Sequence, residues 1–448
     1  MIVNRDQIIN FGVLFLFLIQ YSFDWKINLV LPSLYLIYIL LYIYQKVGFF
    51  RLEFIVFLIL IYPALTPIIS TFFIGFPLVA SVGLDYQNID LMSSSVLISS
   101  IFIGFIFLFN INLIKSKNPI SFLESDFFNK KIYILLIFLC FLFLIIIIPG
   151  ENIITGTYKR VVELRQERGD SHRFAGAFFL AAWSYTMALV LSRKKYLKSF
   201  FMISILIVLI FFAFGQRSEA IGVVLAIIAF LGIQSKNIFL KSNIKKYILA
   251  TLFISISIGY WRSLSLQSLF SGGLSQINLI DSNIGGIRYP GGAGEIFIGL
   301  PITLSFIESE IYNFPLYGQT LANFFMRWVP TGLYSILDVE IGPTYYEILS
   351  KNIQLVGGTY YVAEIFGNFR MIGVVLAGVV WGLIVRKIIK IYYEPMVSYK
   401  TVIVIIFLTT SIKVFWFNQI NLIKVLIGFI LLIYLTSIFR IRYENSLS

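Results

Sequence analysis

The sequence predicts an all-α polytopic membrane protein of about twelve transmembrane helices. Three observations carry that prediction: composition, the length of the apolar blocks, and the way charge alternates between them. Of 448 residues, 59% are hydrophobic and 13% charged, against about 45–50% and about 25% in soluble domains. The excess comes in blocks of about 20 residues, the length that crosses a bilayer core. Residues 132–149, Ile-Tyr-Ile-Leu-Leu-Ile-Phe-Leu-Cys-Phe-Leu-Phe-Leu-Ile-Ile-Ile-Ile-Pro, are apolar on every side.

The spans fall near 8–23, 27–45, 54–74, 93–113, 132–149, 174–192, 199–214, 218–234, 247–262, 369–385, 401–416 and 418–438. The first follows Met-Ile-Val-Asn-Arg-Asp with no small-residue cleavage site, so it reads as an uncleaved helix rather than a signal peptide. Alternating sides from an internal N-terminus puts 21 cations and 6 acids inside, leaving 14 cations and 16 acids outside. Each short inside loop is then basic, as topology requires, and both termini are expected in the cytoplasm. The net charge of +13 is explained by these loops, so no nucleic-acid partner is expected. The single cysteine, Cys140, lies in an apolar run and has no second cysteine for a disulfide or metal.

Three regions follow. Residues 1–262 hold nine spans and an outside loop at 150–173. Residues 263–368 form one long outside loop, and 369–448 hold three more spans and a cytoplasmic tail. A connection as long as 263–368 is usually functional or disordered. This one carries Phe, Trp, Tyr, Ile and Leu throughout, including Asn323-Phe-Phe-Met-Arg-Trp-Val-Pro330, so folding in the interface is expected. Residues 295–307 are too short to cross and suit an interfacial or re-entrant helix. No internal repeat of the transporter kind is present.

The cations differ in kind between the sides. The inside carries 15 Lys and 6 Arg; the outside carries 5 Lys and 9 Arg, at positions 160, 165, 168, 173, 217, 262, 288, 327 and 370. Outside cations gain nothing from topology. A bias to Arg suits bidentate grip of phosphate or carboxylate, while pairing with the outside acids and snorkelling to headgroups are the plainer uses. Arg217 is the sharpest case: it sits in a turn of almost no length between two apolar runs, with Glu219 as an expected partner.

Candidate acid–base groups are fewer. His172, the only histidine, sits in Arg168-Gly-Asp-Ser-His-Arg173 and can act as a base near neutral pH. Glu295 ends Arg288-Tyr-Pro-Gly-Gly-Ala-Gly-Glu, where glycines free backbone amides for an anion and an acid also suits a helix start. Glu364 lies in Gly357-Gly-Thr-Tyr-Tyr-Val-Ala-Glu-Ile-Phe-Gly-Asn368, where aromatics beside a carboxylate suit a sugar ring, or an aromatic belt. Gly378-Val-Val-Trp-Gly382 reads as helix packing. No phosphate-binding loop and no zinc cluster occurs. Asp338-Val-Glu340 is the single hint of a divalent ion, and neither metal nor cofactor is expected.

Three features resemble the Wzy-type oligosaccharide repeat-unit polymerases of bacterial O-antigen, capsule and enterobacterial common antigen pathways. They are the turn Phe-Gly-Gln-Arg217-Ser-Glu-Ala, the long outside loop after Gly259-Tyr-Trp-Arg262 with Tyr317-Gly318 and Trp328-Val-Pro330, and the returning segment Ala363-Glu-Ile-Phe-Gly-Asn-Phe-Arg-Met-Ile-Gly373. The resemblance implies a GT-C-like glycosyltransferase in the inner membrane, active on the periplasmic face. Its reaction moves a glycan from one undecaprenyl diphosphate onto the terminal sugar of a repeat unit carried by a second. It also implies a chain-length regulator as partner.

Departure of a diphosphate builds negative charge that must be stabilised where it forms, and this chain offers arginines for that. By resemblance Arg173 and Arg217 hold the lipid diphosphate, with Arg262, Arg288 and Arg327 as second choices. Glu295, Glu364 and His172 are the candidates for the base that orients the acceptor hydroxyl, and the sequence does not choose among them. Two other functions stand beside polymerase. An O-antigen ligase would also carry a long outside loop and arginines, but would use a histidine in that loop. A flippase would bind the same lipid without chemistry, and would show short loops on both sides.

Overall fold

In a bilayer the backbone has no water to bond, so a spanning segment must satisfy its own N–H and C=O groups. The computed structural model obeys this. It describes residues 5–22, 29–69, 89–114, 127–147, 158–213, 217–234, 299–310, 314–326, 342–350, 360–416 and 420–444, and every element among them is helical. Eight helices come first: α1 (Arg5–Ser22), α2 (Val30–Val47), α3 (Leu52–Ile69), α4 (Ile89–Asn110), α5 (Lys130–Ile147), α6 (Tyr158–Leu191), α7 (Leu197–Ala213) and α8 (Arg217–Gln234). Three short ones, α9 (Gly299–Glu308), α10 (Gln319–Met326) and α11 (Tyr345–Ser350), precede α12 (Tyr361–Tyr392), α13 (Tyr399–Trp416) and α14 (Ile420–Glu444).

Six of these helices are long and apolar enough to cross a membrane, and four more are apolar but shorter. The protein is therefore a helical membrane protein. Its outer wall is greasy: Phe11, Leu16, Leu34, Phe138, Ile145, Met202, Ile205, Ile430 and Tyr434 on α1, α2, α5, α7 and α14 are all exposed, as lipid-facing surfaces are.

The centre is built on α4 and α12, which pack along each other. Small residues allow it. A Cβ on Gly378 would sit 2.9 Å from the Phe102 carbonyl oxygen, and one on Gly382 would sit 3.0 Å from the Phe109 ring. Gly378 and Gly382 are thus the contact stripe that the small-xxx-small pattern predicts. Asn110 donates to the Gly382 carbonyl at 3.1 Å and to that of Ile106 at 2.7 Å. At the other side of the bundle α13 packs against α6, α8 and α12.

Two boundaries differ from the hydropathy reading, for one reason. Apolar runs mark where lipid is, and a helix need not stop there. Residues 158–173, expected as part of an outside loop, are the first turns of α6. Lys159, Arg160, Glu163, Arg165, Gln166, Glu167 and Arg168 are straight-chain residues with good helix propensity. Likewise α12 starts at Tyr361 rather than near 369. The short helix expected at 295–307 is present as α9, and the ninth span at 247–262 lies outside the described residues.

Candidate functional site

The site forms where α12 begins and then breaks. Its first turn carries Glu364, and an acid there is favoured by the helix dipole. Arg370 departs from helical geometry at φ 55°, ψ −152°, kinking the helix. A kink removes i to i−4 hydrogen bonds and leaves carbonyls without partners. Here the segment before α10 supplies the missing donors: Leu316 N–H bonds the Gly367 carbonyl at 3.1 Å, and Tyr317 N–H bonds that of Asn368 at 2.9 Å. The Arg370 guanidinium completes the join by donating to the Phe314 carbonyl at 3.1 Å, beside the Phe314 and Phe366 rings. Gly318 turns at φ 83° directly over Phe369.

That docking brings α10 onto Glu364. Asn368 donates from Nδ2 to Thr320 Oγ1 at 2.7 Å and to the Glu364 carbonyl at 2.8 Å. The Thr320 hydroxyl faces the Glu364 carboxylate. Glu364, Asn368 and Thr320 are all buried, with Glu364 at 4% exposure, and Asn368 Oδ1 has no hydrogen-bond partner among the described residues. From the other side Tyr345 on α11 hydrogen-bonds Thr303 on α9. Burial pushes the Tyr345 phenol above its ordinary range, so it stays a neutral hydroxyl; Glu364 and Arg370 both act on it electrostatically. A capping box starts α11, with Thr344 N–H on Glu347 Oε2 at 2.9 Å.

Gly367 makes room for Tyr345. A Cβ there would lie 2.6 Å from Tyr345 Cε2 and 2.8 Å from its hydroxyl. Gly367→Ala should therefore lower stability by about 1–3 kcal/mol, the usual cost of overpacking. Thermal unfolding of the purified protein measures it, and the same change on a Tyr345→Ala background should cost far less.

A second group of functional candidates lies on the neighbouring helices. His172 and Arg173 fall within α6, about four turns past its start, and Arg217 is the first residue of α8. Only the backbone is described at these three positions. Because α13 packs on α6, α8 and α12, the helices carrying His172, Arg173, Arg217 and Glu364 belong to one bundle. Glu219 takes Lys413 of α13 as a partner, Nζ to Oε1 at 2.6 Å, and accepts from Ser218 at 2.7 Å. Lys424 of α14 stands over the Phe174 ring at 5.9 Å, next in sequence to Arg173. Glu295, Arg262, Arg288 and Arg327 lie outside the described residues, as do Asp338 and Glu340.

The chain matches no family model, no curated protein and no solved structure.

Of the sequence candidates, Glu364 is the one with a described side chain, and the structure surrounds it with groups the sequence did not single out. Thr303, Thr320, Tyr345 and Asn368 are ordinary neutral residues with no pattern to flag them. Arg370 stood only as one of nine outside arginines. Among the described residues no three His, Cys, Asp or Glu side chains gather as a metal site would need. The described cluster can do one thing well: hold a carboxylate out of water with an amide and two hydroxyls fixed about it. Such a carboxylate suits a hydroxyl as its partner, because its neighbours are already fixed by their own hydrogen bonds.

Proposed function

We propose that this protein is an oligosaccharide repeat-unit polymerase, joining undecaprenyl-diphosphate-linked units by glycosyl transfer on the outer face of the bacterial inner membrane. The observation that carries the reading is the buried Glu364 carboxylate in the first turn of kinked α12, covered by the segment that follows α9. On this reading Glu364 takes the proton of the acceptor hydroxyl as its oxygen bonds the donor sugar carbon. The bond from that carbon to the diphosphate breaks, and the departing charge meets Arg173 and Arg217. The alternation of Lys-rich inside loops and Arg-rich outside segments supports twelve spans, cytoplasmic termini and this working face. The arrangement is then GT-C-like, with a chain-length regulator as its protein partner and no metal or cofactor in the chemistry.

At 4% exposure, Glu364 meets an acceptor only when the cover over it moves. The reading therefore requires the 314–326 segment to lift as substrate arrives, as lids do in many enzymes.

The test is genetic. Deletion in the host should leave lipid core capped by a single repeat unit, and complementation with Arg217→Ala should look the same on a gel while reaching the membrane at wild-type level. Full-length chains stranded on the lipid carrier would indicate a ligase instead. Single units trapped inside the cell would indicate a flippase, and either result would sink the polymerase reading.

A further inference from the structure

Arg217 is the first residue of α8, so its place depends on how that end of the helix is held. Two residues on, Glu219 is buried to 9% exposure and bonded to Lys413 at 2.6 Å, near the outer end of α13. The two helices also touch backbone to backbone just below. A Cβ on Gly222 would meet the main chain of Thr409, 2.8 Å from its carbonyl carbon. The end of α13 is fixed in turn: Trp416 donates from Nε1 to the Ile59 carbonyl at 2.8 Å and stacks on Tyr62, centroids 5.5 Å apart. A chain of contacts thus runs from α3 through α13 to the first turn of α8.

Charges inside a membrane protein are costly and need partners. Lys413 in the last turn of α13 and Glu219 in the first turn of α8 also match the dipoles of their helices. That explains why the pair is tolerated. Its location, between a fixed helix end and the sequence position of Arg217, gives it a further use.

We propose that Glu219 and Lys413 are a positioning pair: their ion pair locks the first turn of α8 against α13 and so sets where Arg217 meets the lipid diphosphate. The inference rests on the polymerase reading for that ligand. Neither member of the pair touches the diphosphate.

Binding of undecaprenyl diphosphate to the purified protein in nanodiscs tests it, with thermal unfolding measured alongside. Lys413→Met and Glu219→Gln should each raise the Kd about tenfold, a loss expected when an anion-gripping group is misplaced. Lys413→Arg should bind as wild type. The exchange Glu219→Lys with Lys413→Glu should recover most of the binding, short of all of it because both charges then oppose the helix dipoles. If the single variants unfold, the exchange and Lys413→Arg still decide. Wild-type binding by folded single variants would overturn the proposal. So would an exchange that folds yet binds as weakly as Lys413→Met, since Lys413 would then be touching the ligand itself. A different result, wild-type binding by Arg217→Ala, would remove the role of Arg217 and with it both the diphosphate site and its positioning pair.

Discussion

On the polymerase reading, Glu364→Gln should abolish polymer formation while leaving the protein folded. Gln has the shape of Glu and keeps a polar end toward Thr320, so the bonds from Asn368 to Thr320 and to the residue 364 carbonyl survive. What is lost is the group that accepts a proton. A positioned base contributes about 10²–10⁴-fold, so transfer from one lipid-linked unit to another should fall by that factor in membranes holding equal protein. Glu364→Ala should fall as far and lose stability as well, since it empties a buried position. Asn368→Ala separates the two effects. It leaves the carboxylate but removes the donor to Thr320, a buried group whose loss of a partner costs about 1–3 kcal/mol. Its activity should drop less than that of Glu364→Gln and its unfolding temperature more. Wild-type transfer by Glu364→Gln would show that the carboxylate serves packing alone.

The membrane-spanning part of this fold was legible because one force dominates it. A run of apolar residues long enough to cross lipid must be a helix, and the structure places α5 at Lys130–Ile147 where 132–149 was read, and α13 at Tyr399–Trp416 where 401–416 was read. Helical turns beyond an apolar run, such as residues 158–173 of α6, escape a reading based on hydropathy alone. Of the candidate site, only Glu364 was legible, where an acid stood among aromatics and glycines. Its surroundings depend on a kink at Arg370 and on backbone donors from Leu316 and Tyr317, about fifty residues earlier in the chain. No local pattern encodes a pairing of that range. It arises because broken helix carbonyls inside a bundle must find donors somewhere. The partner of Glu219 shows the same thing: Lys413 is nearly two hundred residues away in sequence and adjacent in space.

The largest effect on stability should come from Gly222→Val. At this position the neighbour is the Thr409 main chain, which cannot rotate aside as a side chain does. A β-branched residue would force α8 away from α13, parting Glu219 from Lys413 and exposing their charges to lipid. Overpacking typically costs about 1–3 kcal/mol and occasionally more, and separating the part-buried Glu219–Lys413 pair adds to that. Against a total stability of about 5–15 kcal/mol, the variant should accumulate poorly and unfold early. Gly176→Ala supplies the control. It is also a helical glycine, but its added Cβ meets nothing within 4 Å. There the loss of backbone freedom in the unfolded chain should win, giving about 0.4–1 kcal/mol of added stability. Thermal unfolding in detergent compares the two directly. Opposite signs would establish that close approach of α8 to α13 is what Gly222 provides. Equal effects would mean that glycine matters in these helices for some other reason, and the contact to Thr409 would no longer explain it.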